Sequence, residues 1–116
     1  MSYADWRARF LEAVDESLYP APFLDWLLDS GQARFWECDT AAIVAEIRQF
    51  PSGVLEVHGT VAAGELDGIK ALIPLAEIWG KSFGATRASI ASHPAWARLL
   101  RDEGYEMSQV TIVKVL

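Results

Sequence analysis

Glu56, His58 and Thr60 alternate along the stretch VLEVHGTVA, residues 54–62. A period of two puts all three on one face of a strand. A carboxylate beside an imidazole is the raw material of a general base, because histidine changes protonation near neutral pH. The plainer reading of the same face is a solvated or helix-covered strand in which His58 is hydrogen-bonded. Directly downstream lie Gly64, Glu65, Asp67 and Gly68, where the chain reads as passing from strand to helix. A glycine-flanked turn into a helix is a common place for an anionic cofactor. Here the turn carries two carboxylates, which suit a helix N-terminus through its dipole or would hold a cation or an amine. No metal site is expected. His58 and His93 are distant and neither has ligand spacing, and the single Cys38 excludes both a thiolate cluster and an intrachain disulfide.

What surrounds these residues narrows the function. At 116 residues the chain is read as one domain, 1–116, with an apolar fraction of 52%. The net charge is −6 and the pI about 4.8, with basic residues scattered. That disfavours nucleic acid, which needs clustered Lys and Arg, and anionic membranes for the same reason. No apolar run reaches membrane-spanning length and the start MSYADWRARF is no signal peptide, so the expected location is the cytoplasm. Five tryptophans are many for this length and point to core or contact surface.

The elements that must position the candidates follow from periodicity. Tyr3, Trp6, Phe10 and Val14 recur at helical spacing over residues 3–16, behind the N-capping Ser2 and Asp5. A second helix over residues 22–30 points Phe23, Trp26 and Leu27 inward and stops at Gly31. Residues 33–38 form an aromatic strand. Residues 41–50 fit helix or strand; short flanking turns favour the strand of an antiparallel meander. In residues 54–62, Leu55, Val57, Gly59 and Val61 share the face opposite His58. A helix over residues 65–83 carries the stripe Leu66, Ile69, Leu72, Ile73, Ala76, Trp79 and Phe83, with a kink or break expected at Pro74. A strand over 86–91 follows, parallel to 54–62 because a helix separates them. A helix over 95–102 turns Trp96, Leu99 and Leu100 inward, and residues 110–115 (VTIVKV) form a last strand. The order α-α-β-β-β-α-β-α-β predicts an α/β fold with a five-stranded mixed sheet and helices on both faces. Trp36, Trp79 and Trp96 belong to the core; Trp6 and Trp26, on short helices, are the interface candidates.

With its KSFGA helix end (residues 81–85), the strand TRASI (86–90), the helix PAWARLLRDEGYE (94–106) and the pair Gly104-Tyr105, this chain resembles the GNAT acyltransferase fold. Phe35-Trp36, Pro51, the turn at 62–66 and the tail at 93–116 resemble small GNAT-like proteins encoded beside virion-structure genes in tailed phages and prophages. The resemblance covers about residues 32–116 and implies a cofactor turn, Q/R-x-x-G-x-G/A, at residues 64–69. Gly64 then stands at the basic or amide position, and Asp67 and Ile69 at the two glycine positions. Side chains would fill the diphosphate space. Two unit charges about 4 Å apart interact by about 4 kcal/mol at an effective dielectric near 20, more than a helix dipole term of about 0.3–1 kcal/mol. Leu100 stands where the family has a tyrosine that protonates the leaving thiolate.

The departures lead to a non-catalytic GNAT-like domain that takes no cofactor. The resemblance makes it a phage- or prophage-associated accessory acting through a protein partner or a homo-oligomer, and virion-associated if phage-encoded. The alternative is an acyl-CoA-dependent N-acyltransferase using acetyl-CoA or another acyl-CoA. There Glu56 or His58 deprotonates an amine. The backbone of residues 57–61, Val57 and Val61 included, and the turn at Gly64, Glu65, Asp67 and Gly68 hold the coenzyme.

Overall fold

The computed structural model describes residues 2–92 and 95–116, so His93 lies outside the described residues. Helix α1 (Tyr3–Ala13) starts where expected, the Ser2 backbone N–H donating to Asp5 Oδ2 at 2.7 Å. Helix α2 (Ala21–Asp29) begins with Pro22 in its first turn. The two are clamped by Asp25, which accepts two parallel bonds from the Arg7 guanidinium, both 2.9 Å, and one from the Tyr3 hydroxyl, 2.6 Å. These bonds hold the Asp25 carboxyl below the usual range, the Arg7 bond most of all. The inward face of α2 is Leu24 and Leu27, not Phe23 and Trp26. The 3.6-residue period makes the leucines the inner stripe, and the two aromatic rings stack on each other outside it at 6.1 Å.

Strands β1 (Ala33–Glu37), β2 (Ala41–Gln49) and β3 (Leu55–Gly64) form the antiparallel meander. Helix α3 (Leu66–Ser82) then crosses over to β4 (Arg87–Ile90), which pairs parallel to β3. A short α4 (Ala95–Leu99) and a 3-10 turn, Arg101–Glu103, follow. The sheet order is β1-β2-β3-β4. Helix α3 covers one face, packing Ile69, Leu72 and Ile73 on Ile43, Ala45 and Val57; α1 and α2 cover the other over Ala42, Val44 and Val61. The predicted helices on both faces are there, and residues 41–50 resolve as strand. Helix α3 runs unbroken through Pro74, which is exposed and replaces only one intrahelical donor. Leu99 and Phe83 are exposed rather than inward.

Two expectations about the sheet itself fail. Among the described residues the sheet has four strands, not five: residues 110–115 are exposed and in no ladder, and an extended segment without a ladder partner is not a strand. Val61 is not on the face of Val57. Val44 pairs with Val61 but Ala45 pairs with Gly59, so Thr60 is an extra residue, a β-bulge. Beyond it the faces of β3 exchange, and Val61 joins Phe10 and Trp6 under α1.

Candidate functional site

The bulge divides the α1-side face of the sheet. Below it, each of three neighbouring strands presents two polar residues at i and i+2: Glu46 and Arg48 on β2, Glu56 and His58 on β3, Arg87 and Ser89 on β4. Register sets them opposite one another, Glu46 by His58, Arg48 by Glu56, Glu56 by Arg87 and His58 by Ser89. Glu46, Glu56 and His58 are buried, so partners are required. Arg48 Nε donates to Glu46 Oε1 at 2.5 Å, and Arg87 Nε to Glu56 Oε2 at 2.7 Å. His58 Nδ1 lies 2.8 Å from the Ser89 hydroxyl and 4.0 Å from Glu56 Oε1. Burial pushes the His58 pKa below its ordinary value, the Arg48 charge pushes the same way, and Glu46 and Glu56 oppose them. At neutral pH the imidazole is therefore uncharged and able to take a proton.

Above the bulge the sheet opens. β3 pairs with β4 only from Glu56 to Gly59; β3 continues to Gly64 while β4 ends at Ile90. Among the described residues no strand pairs with the outer edge of residues 60–64. A cavity of about 370 Å³ occupies the gap. Its walls come from both sides of the sheet: Val57, Ile73, Ala76 and Tyr105 with α3, and Val44 and Val61 with α1. Ser89 also lines it, so His58 is one hydrogen bond from the cavity. The Tyr105 hydroxyl donates to Glu77 Oε2 at 2.7 Å, and burial with that carboxylate holds its pKa well above the ordinary tyrosine value. Leu100 is buried in the core and meets no such role.

The turn at the head of α3 differs from expectation in detail. Ile69 points into the core with Leu72 and Ile73, and Glu65 and Asp67 are exposed. The Ile69 side chain is therefore packed in the core and not in front of the helix. Gly64 has φ +106°, and a Cβ there would lie 2.2 Å from the Thr40 carbonyl oxygen. A Cβ on Gly68 would lie 2.4 Å from Thr40 Oγ1 and 2.8 Å from Ala41 Cβ. Both glycines thus seat α3 against the β1–β2 turn. The Glu65 N–H donates to the Thr40 carbonyl at 2.9 Å, and the first intrahelical bond runs from Ile69 N–H to the Glu65 carbonyl. Leu66, Asp67 and Gly68 follow as the first-turn donors that helix geometry leaves for an outside acceptor.

Of the interface candidates, Trp6 is 4% exposed and its indole donates to Glu37 Oε2 at 2.9 Å; it is core. A short helix hides it because Phe10 and the sheet close over its face. Trp26 is 52% exposed, beside Phe23. Among the described residues no group of His, Cys, Asp or Glu has metal-binding geometry, and no helix is long and apolar enough to cross a membrane.

No protein-family model matches the chain, and no curated protein does. Solved structures match over nearly its whole length. An aminoglycoside antibiotic 6'-N-acetyltransferase from Acinetobacter haemolyticus superposes with a TM-score of 0.73 at 18% identity, over 99% of this chain and 92% of that one. A predicted acetyltransferase from Clostridium acetobutylicum, solved with acetyl-CoA, gives 0.71 at 10%, over 96% and 86%. A second aminoglycoside 6'-acetyltransferase, in complex with the bisubstrate analogue CoA-S-monomethyl-acetylneamine, gives 0.70 at 15%, over 96% and 88%. The fold is the GNAT acetyltransferase fold. The expectation that the chain takes no cofactor is corrected on two grounds: its steric premise fails at Ile69, and two neighbours of this fold carry acetyl-CoA or a CoA analogue.

Proposed function

We propose that this chain is an acyl-CoA-dependent N-acyltransferase. The observation that carries the reading is the cavity between the diverging ends of β3 and β4, at whose edge His58, its pKa lowered by burial and by Arg48, meets the Ser89 hydroxyl. The residues present fit an acyl-CoA: the free edge of residues 60–64 offers backbone groups to a pantetheine amide, and the Leu66, Asp67 and Gly68 N–H groups face a diphosphate. The coenzyme supplies the acyl group as an activated thioester. The apolar walls of Val57, Ile73 and Ala76 exclude water from that thioester. An attacking amine must lose a proton. Ser89 accepts it while passing its own to His58 Nδ1. The imidazolium so formed is stabilised by Glu56, 4.0 Å away, and by Glu46 across the ladder. Tyr105, protonated at neutral pH and on the cavity wall, supplies a proton to the leaving sulfur.

The neighbours named as acetyltransferases support catalysis over a virion-accessory scaffold, and no feature of the site or the neighbours supports the phage association. Calorimetry with acetyl-CoA, followed by a free-thiol assay over a panel of primary amines, tests the reading. Binding in the micromolar range and amine-dependent thiol release are expected, with Tyr105→Phe reducing turnover by about 10-fold or more. Absence of acetyl-CoA binding by the folded protein overturns it.

A further inference from the structure

In the polar grid the carboxylates lie underneath and the guanidiniums on top. The Glu46 and Glu56 side chains are 11% and 4% exposed, while those of Arg48 and Arg87 are 45% and 49% exposed. Each arginine meets its carboxylate through Nε. Among the described residues the terminal Nη groups of both make no further hydrogen bond, so most of their five N–H donors face solvent. Register fixes where they stand. Arg48 is opposite Glu56, and Glu56 is opposite Arg87. With strands about 4.8 Å apart, the two arginines flank Glu56 about 10 Å from each other. Arg87 is drawn inward to Glu56 and lies over the Phe50 ring at 5.5 Å. Arg48 is drawn to Glu46, which shares a row with His58 and Ser89. A chain of net charge −6 thus presents, beside its cavity, a face whose exposed charges are positive.

We propose that Arg48 and Arg87 form an oxyanion subsite, and that the acceptor is a primary amine carrying a carboxylate or a phosphate a few bonds from its nitrogen. The acceptor role rests on the acyltransferase reading; the anion site stands on the register and the exposed guanidiniums alone. A guanidinium is a planar fork of donors that matches either oxyanion with two parallel bonds. Ser89 lines the cavity and lies two residues from Arg87 on the same face of β4, about 6.6 Å along the strand. An anion held by the arginines therefore brings a nearby nitrogen to the Ser89–His58 pair. A polyamine meets two like charges at the same place and is disfavoured.

Initial rates of the full chain with acetyl-CoA test this, glycine and O-phosphoethanolamine being compared with glycinamide and ethanolamine. The anion-bearing amines are expected to exceed their neutral partners in kcat/KM by about 10-fold or more, with the difference in KM. Glycine against O-phosphoethanolamine separates carboxylate from phosphate. Arg87→Gln is expected to cut the preference about 10-fold. Arg87→Lys keeps Glu56 paired but offers a point charge in place of a fork, and is expected to cut it about 3-fold. Circular dichroism checks the fold; should Arg87→Gln fail to fold, Arg87→Lys decides. The same four amines are then followed by thermal shift without acetyl-CoA. The two anions are expected to raise the midpoint, the neutral amines to leave it, and Arg87→Lys to shrink the rise. Equal rates for charged and neutral acceptors overturn the proposal, and so does a preference that neither substitution moves. If the protein binds no acetyl-CoA and turns nothing over, the acyltransferase reading falls by itself, and a midpoint indifferent to the anions overturns the anion site separately.

Discussion

The two halves of β3 face the same helix layer with opposite chemistry. Below Thr60 the strand is paired on both sides and presents Glu56 and His58, buried among Glu46, Arg48, Arg87 and Ser89. Above Thr60 it is paired on one side and presents Val61 to Phe10 and Trp6. In the lower half side chains do the polar work and the backbone is spent on the ladder. In the upper half the side chains are apolar, and the backbone edge is what remains free beside the cavity. One inserted residue produces both, because shifting a strand by one residue exchanges every face beyond it.

The strongest way to break this contrast is to delete Thr60. Strict alternation would return, and Val61 and Ala63 would leave the Phe10 cluster for the α3 side, or the lower half would turn its charges into the Ile43–Leu72 core. A stability of about 5–15 kcal/mol cannot absorb either. The expected outcome is loss of a cooperative thermal transition, read by circular dichroism; a variant that melts as the parent does would show that the bulge does not set the faces.

That bulge is also where the sequence falls silent. VLEVHGTVA alternates without a break, and Gly59 is the one residue in it that hints at an irregularity. The polar grid was half visible for a related reason. Glu56 and His58 show on one strand, but Glu46, Arg48, Arg87 and Ser89 become their neighbours only once register is known. The helices and the meander were legible from period and turn residues. Trp26 and Phe23 were misplaced because adjacent aromatics and leucines left two stripes to choose from on one short helix. The missing fifth strand carries a full strand pattern, but a pattern says only that residues could pair, not that a ladder partner lies beside them. Ile69 is the most instructive case. A motif count put it in the diphosphate turn, while helix phase, the stripe Leu66, Ile69, Leu72, put it in the core, and phase wins because it states where the side chain points.

His58→Ala sharpens the contrast on the lower side. Loss of a positioned base is expected to lower turnover by about 10²-fold or more, with the fold retained, since the upper half is untouched. The pH dependence carries its own sign. The His58 pKa is lowered by burial first and by Arg48 next. The active form is the neutral one, so activity should hold as pH falls through the ordinary histidine value near 6.5 and decline only below it. Arg48→Gln removes a charge that depresses the pKa and should move that acid limb upward. A limb that stays in place after Arg48→Gln, or turnover indifferent to His58, would place the base elsewhere.

The smallest expected effect lies past the end of the upper half, where the free backbone edge gives way to the α3 turn. Glu65 and Asp67 stand at the helix N-terminus, exposed, with their carboxylates in the field a diphosphate would enter. Exposure lets water screen them, which reduces a repulsion that would be prohibitive in a dry site to a penalty that binding can tolerate. Each also stabilises the helix terminus by about 0.3–1 kcal/mol. Replacing both by Gln and Asn should therefore trade a slight loss of thermal stability for a few-fold tighter acetyl-CoA, with the gain shrinking as salt is raised. If affinity were unchanged at low salt, the phosphates would not be seated at this helix at all, and the backbone edge of residues 60–64 would be holding the coenzyme without it.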